Sequence, residues 1–167
     1  MKFFKKINRG VVFTLVVLSL VIVYVCVLGV NHYLMGEEAS GFVSSFFRAE
    51  EDWRSIPENF RQDSNAYIKS IENDVKKYFA NENVYEFYIK NVILSQYEKN
   101  TFYTEEECQY KSFATYVNKY DGELLEISVY TEMGVETYDI YMTLCEDDSE
   151  LKIASLAQPY GADFSIQ

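Results

Sequence analysis

Few residues in this chain combine the types and spacings that chemistry requires. Nucleophilic catalysis by serine or cysteine needs a neighbouring base, and the sole histidine, His32, stands just beyond a long apolar run. One imidazole also cannot supply the paired histidines of a zinc site. Cys108 and Cys145 lie 37 positions apart with no CxxC or HExxH pattern, and 7 scattered glycines form no phosphate-cradling loop. The acidic run Glu146-Asp147-Asp148-Ser149-Glu150 lacks the alternating ligands, central glycine and distal glutamate of an EF-hand. The many other carboxylates read as solvated surface. The expectation is therefore a non-enzymatic chain that needs neither metal nor cofactor.

The stretch that organises everything else is Gly10 to Val30, 21 residues without a charged side chain. As a helix it extends roughly 31 Å, the thickness of a bilayer's hydrocarbon core. Lys2, Lys5, Lys6 and Arg9 precede it, whereas all 26 acidic residues follow it with 11 basic ones, a formal charge of −15. Basic residues concentrate on the cytoplasmic side of a span, so the chain beyond is expected outside the cytoplasm. The apolar run exceeds a signal-peptide core, and no small-x-small pair closes it, which favours an uncleaved anchor over a signal peptide. Lys5, Lys6 and Arg9 would anchor the inner interface and Tyr33 the outer one. The division is then a basic stub (1–9), a transmembrane anchor (10–33), an extracytoplasmic domain (37–160) and a short tail (161–167). A domain this acidic repels nucleic-acid phosphates, leaving the membrane itself and a protein partner or homo-oligomer as the expected associations. In an oxidising compartment Cys108 and Cys145 could form a disulfide; two buried free thiols are the equal alternative.

Local patterns then place the elements of the outer domain. Phe42, Phe46 and Phe47 predict a helix over about Ala39 to Trp53, ending near Pro57. Asp63 or Ser64 can cap a second helix, with Tyr67, Ile71, Val75 and Tyr78 on one face. In Val84 to Tyr97 a helical stripe of Tyr85, Tyr88, Ile89, Val92 and Gln96 competes with strand-like β-branched density, and helix is favoured. Residues 98–107 read as a connection. Asp121-Gly122 predicts a hairpin turn with positive φ at both positions, between strands Tyr110 to Tyr120 and Glu123 to Thr131. The capping-box pattern from Thr104 to Glu107 leaves a helix open for Tyr110 to Tyr120, with strand preferred. Glu132-Met133-Gly134 and Glu146 to Glu150 predict the remaining turns, around an alternating strand at Tyr138 to Leu144 and a last strand at Leu151 to Ala157. The expected fold is α+β: amphipathic helices packed on a four-stranded antiparallel β-meander.

One anchor, helices across Phe42 to Phe79 and a meander from Tyr110 to Ala157 together resemble membrane-anchored proteins with cystatin-like or nuclear-transport-factor-2-like outer domains. These are similar to inner-membrane scaffold components of bacterial conjugation and secretion machines. The resemblance spans about Ala39 to Gln158 and implies a roll with a scaffolding role; it assigns no residue a function. Tyrosine, phenylalanine and tryptophan number 15, 12 and 1, a load that fills a core first and supplies interfaces second. An interaction module would expose an aromatic patch, for which Trp53, Phe60, Tyr103 and Tyr160 are the candidates. The alternative is a small-molecule or lipid-binding domain with a pocket between helices and sheet, lined by Tyr138, Tyr116 or Tyr88.

Overall fold

The computed structural model describes residues 9–133 and 136–157. By its internal contacts the chain divides into two units, Met1–Met35 and Gly36–Gln167. In the first, every described side chain from Val12 to Leu34 is exposed, including Phe13 at 71 % and Tyr33 at 65 %. This apolar helix is long enough to cross a membrane.

Helix α1 runs Arg9–Arg54 without interruption, where a separate helix beginning near Ala39 was expected. No proline intervenes after the apolar run, and Gly36 within a helix costs only about 1 kcal/mol. In the second unit its buried positions are Ala39, Val43, Phe46, Phe47, Glu50, Trp53 and Arg54. Most recur at alternating intervals of four and three, so they form one stripe toward the sheet. The helix stops before Pro57, and a 3-10 turn follows at Glu58–Phe60.

Helix α2, Ser64–Lys76, is capped by Asp63, whose carboxylate accepts the Ala66 N–H at 3.0 Å. Tyr67 and Val75 are its buried residues, and Ile71 is half-buried between them. Tyr78 lies beyond the helix end. Helix α3, Glu82–Tyr88, continues through a π-helical segment, Ile89–Leu94, into α4, Ser95–Lys99. The helical stripe expected here is realised: Tyr85, Tyr88, Ile89, Val92 and Gln96 are all buried. The Asn91 side chain donates to the Phe87 carbonyl at 2.8 Å, giving that oxygen a side-chain partner at the entry to the widened turn. The capping box at Thr104 forms, but α5 lasts only Glu105–Cys108 before the chain turns extended.

The strands are β1, Tyr110–Tyr120; β2, Leu124–Met133; β3, Glu136–Asp147; and β4, Glu150–Ala157. They form one antiparallel sheet in the order β1-β2-β3-β4, with bulges in β1 and opposite Thr143/Leu144. One face is apolar: Leu125, Ile127 and Val129 on β2, Ile140, Met142 and Leu144 on β3, and Leu151, Ile153 and Leu156 on β4 are buried. The helices cover that face.

Turn geometry differs from expectation. Only Gly122 has positive φ (98°) at the first hairpin, because the Asp121 carboxylate instead takes the N–H groups of Glu123 and Leu124 at 3.2 and 2.9 Å. Among the described residues two successive positive φ angles occur instead in the acidic turn, at Asp148 (52°) and Ser149 (64°), between the paired residues Asp147 and Glu150.

Candidate functional site: the open sheet face

Two clusters of polar and aromatic groups result, one enclosed and one exposed. In the enclosed one, Glu50 is wholly buried and Arg54, one turn further along α1, is 8 % exposed. Their charges lie 3.9 Å apart, the Tyr110 hydroxyl donates to Glu50 Oε2 at 3.0 Å, and Arg54 donates to that hydroxyl at 3.3 Å. Glu51 accepts the Tyr110 N–H at 2.8 Å, and Gln96 donates to the Arg54 carbonyl at 3.2 Å. These bonds join α1 to the first residue of β1 and to α4. Burial, with the nearby Glu50 charge second, raises the hydroxyls of Tyr88 and Tyr110 well above the usual tyrosine range. Burial likewise pushes the Cys108 thiol up to about 11. Such a cluster fixes the register of helix on sheet.

The exposed cluster follows from strand alternation. Since Leu125, Ile127 and Val129 face the helices, Leu124, Glu126, Ser128, Tyr130 and Glu132 face the other way. Register carries this across the sheet: Tyr116 opposes Ser128, which opposes Tyr141, and Tyr130 opposes Asp139. Tyr116, Tyr130 and Tyr141 are 61 %, 40 % and 53 % exposed, and Leu124 is 42 % exposed. Tyr130 is diagonal to both other tyrosines, and diagonal neighbours in a sheet stand about 7–8 Å apart. The Asn118 side chain donates to Ser128 at 2.6 Å, and Ser155 meets Thr143 at 2.9 Å on the same side. Among the described residues no helix covers this face.

The residues singled out from sequence distribute as follows. Trp53 is buried against Phe46, Tyr78 and Tyr88, with ring centroids 5.6–6.3 Å apart, so it belongs to the core and not to a surface patch. Its position in the α1 stripe is the reason. Phe60 is half-buried on Tyr67, and Tyr103 is half-buried with the Arg54 guanidinium 5.3 Å from its ring centroid. Tyr160, Lys5 and Lys6 lie outside the described residues, as does the side chain of Arg9; Tyr33 is on the exposed apolar helix. Cys108 and Cys145 are free thiols: Cys108 is buried at the end of α5, while Cys145 opposes Lys152 on the open side of the sheet. Tyr88, Tyr116 and Tyr138 do not enclose a common cavity, because Tyr88 is in the core and Tyr116 is on the far face. A groove of about 510 Å³ occurs instead beside α1, walled by Phe42, Ser45, Lys77, Tyr78, Glu150 and Leu151. Among the described residues no three His, Cys, Asp or Glu side chains gather into a metal-sized group. The open-face tyrosines were not chosen as an interface from sequence, although alternation around Ile140 and Met142 already sets Tyr141 outward.

No protein-family model, curated protein or solved structure matches the chain.

Proposed function

We propose that this chain is a single-pass membrane protein whose acidic domain, held outside the cytoplasm, acts as a non-catalytic protein-interaction module in an envelope assembly. The observation that carries this reading is the uncovered sheet face, where Tyr116, Tyr130, Tyr141 and Leu124 present apolar area that a monomer gains nothing by exposing. Tyrosine is a favoured interface anchor, since its ring is apolar and its hydroxyl tolerates either water or a partner. The basic residues before the span and the acidic domain after it support the orientation. Helices on one side of a four-stranded meander agree with a cystatin-like or nuclear-transport-factor-2-like roll. Native mass spectrometry of the full chain, extracted gently from its own membrane, tests the function. A co-purifying polypeptide or a stable homo-oligomer is the expected result, and a bare monomer in every detergent tried would sink it.

The groove beside α1 favours a second reading, a small-ligand domain. Its wall combines the Phe42 ring with the hydroxyls of Ser45 and Tyr78, which lie 3.3 Å apart. A bound mass of a few hundred daltons in the same spectra would decide for it.

A further inference from the structure

Glu132 and Asp139 set the chemistry of the open face. Asp139 stands directly across from Tyr130, and Glu132 follows Tyr130 by two positions on the same side of β2. Neither carboxylate has an ion pair among the described residues. Lys119 pairs with Glu126 and Asp121 at 3.5 and 3.9 Å, and Lys152 with Glu150 at 3.0 Å and the Lys77 carbonyl at 2.7 Å. Lys111, the exposed lysine at the β1 bulge beside the Ser112–Glu132 pair, has no ion pair among the described residues. Asp139 stands across from Tyr130 and two positions from Tyr141 on its own strand, and Glu132 stands two positions beyond Tyr130, with Tyr116 farther along the same face. Aromatic faces attract cations through the ring quadrupole, and carboxylates take guanidinium or ammonium groups through charge-assisted hydrogen bonds.

We infer that the open sheet face binds a basic segment of a partner protein, whose arginine or lysine side chains lie against Tyr130 and Tyr141 and pair with Asp139 and Glu132. This rests on the interaction-module reading and adds the partner's chemistry. Charge complementarity selects the occupant. A second copy would bring the same carboxylates and another acidic domain against this face, and an anionic membrane surface would be repelled in the same way. A basic partner is drawn in by that field and then retained by the rings.

The test uses the full chain in its native membrane, with a photo-crosslinking phenylalanine derivative in place of Tyr116, at the rim of the contact. The control site is Lys69, exposed on α2. After irradiation the attached peptide is sequenced. The expected adduct forms at 116 and not at 69, and carries two or more Arg or Lys residues near the attachment point. Its yield should fall about fivefold or more with Asp139→Asn plus Glu132→Gln, or in high salt, because both remove the charge term. Glu105→Gln plus Glu106→Gln, an equal charge change at two exposed positions of α5, should leave the yield within about twofold, since neither residue belongs to the strands of that face. An adduct to a peptide without basic residues, to a second copy or to lipid would overturn the inference while leaving the face a contact surface. Equal loss in the α5 control would overturn it too. No adduct from 116 would remove the interaction reading itself.

Discussion

Glu50 carries a charge into the core, where an ion is costly unless it is paired and hydrogen-bonded. Arg54 and Tyr110 supply those partners. Arg54→Met should therefore cost about 3–5 kcal/mol, because it strands a buried carboxylate, whereas Glu50→Leu combined with Arg54→Met should cost much less. Urea titration of the full chain in detergent, followed by fluorescence of the single, buried Trp53, checks both. A second consequence concerns pH. The neutral forms of Cys108, Tyr88 and Tyr110 are favoured by folding, since their folded pKa values lie above the ordinary ones. Their contribution is present in full below the unfolded pKa, about 8.5 for cysteine and 10 for tyrosine, and is lost as pH rises toward the folded values. Stability should fall above about pH 9, and Cys108→Ala should flatten the first part of that fall, between about 9 and 11. An unchanged alkaline profile in the variant would contradict this.

At the scale of elements, the acidic turn between β3 and β4 carries local strain. Asp148 and Ser149 both occupy positive φ, a region in which a side chain costs about 1–2 kcal/mol and glycine costs little. Ser149→Gly should raise stability by about 1 kcal/mol, or roughly 4 °C in Tm, measured by thermal melting. The α1 stripe is held chiefly by aromatic packing. Phe46 contacts the rings of Phe47, Trp53, Tyr78, Phe79 and Tyr88 at centroid distances of 5.3–6.2 Å. Phe46→Ala should cost about 3–5 kcal/mol through lost transfer energy and the cavity left behind. A loss under 1 kcal/mol on the same titration would mean that the stripe does not pack as described.

For the molecule as a whole, charge and hydrophobicity are segregated along the chain, and this governs placement. The apolar helix exposes its side chains on every described side from Val12 to Leu34, so an apolar solvent is the environment it suits. The full chain should resist carbonate extraction from membranes. Protease added to intact cells should digest the acidic domain while an N-terminal tag survives; the reverse pattern would invert the proposed topology. The basic start, the length of the apolar run and the acidic remainder are legible in sequence because each is a property of composition over a window. The helix stripes and the meander were legible for a related reason: their periods of 3.6 and 2 record which side of an element is buried. Alternation sets Tyr141 outward, but sequence could not separate Trp53 in the core from Tyr116 on the open face. Both are aromatic residues in amphipathic segments, and only the packing of the helices on one face of the sheet leaves the other without a helix among the described residues. The pairing of Glu50 with Tyr110, 60 positions away, had no local signature either. Composition and periodicity thus determined a helix long and apolar enough to cross a membrane and the α+β architecture, while tertiary packing decided which aromatics remain exposed and which charges are enclosed, because burial depends on contacts that sequence distance does not encode.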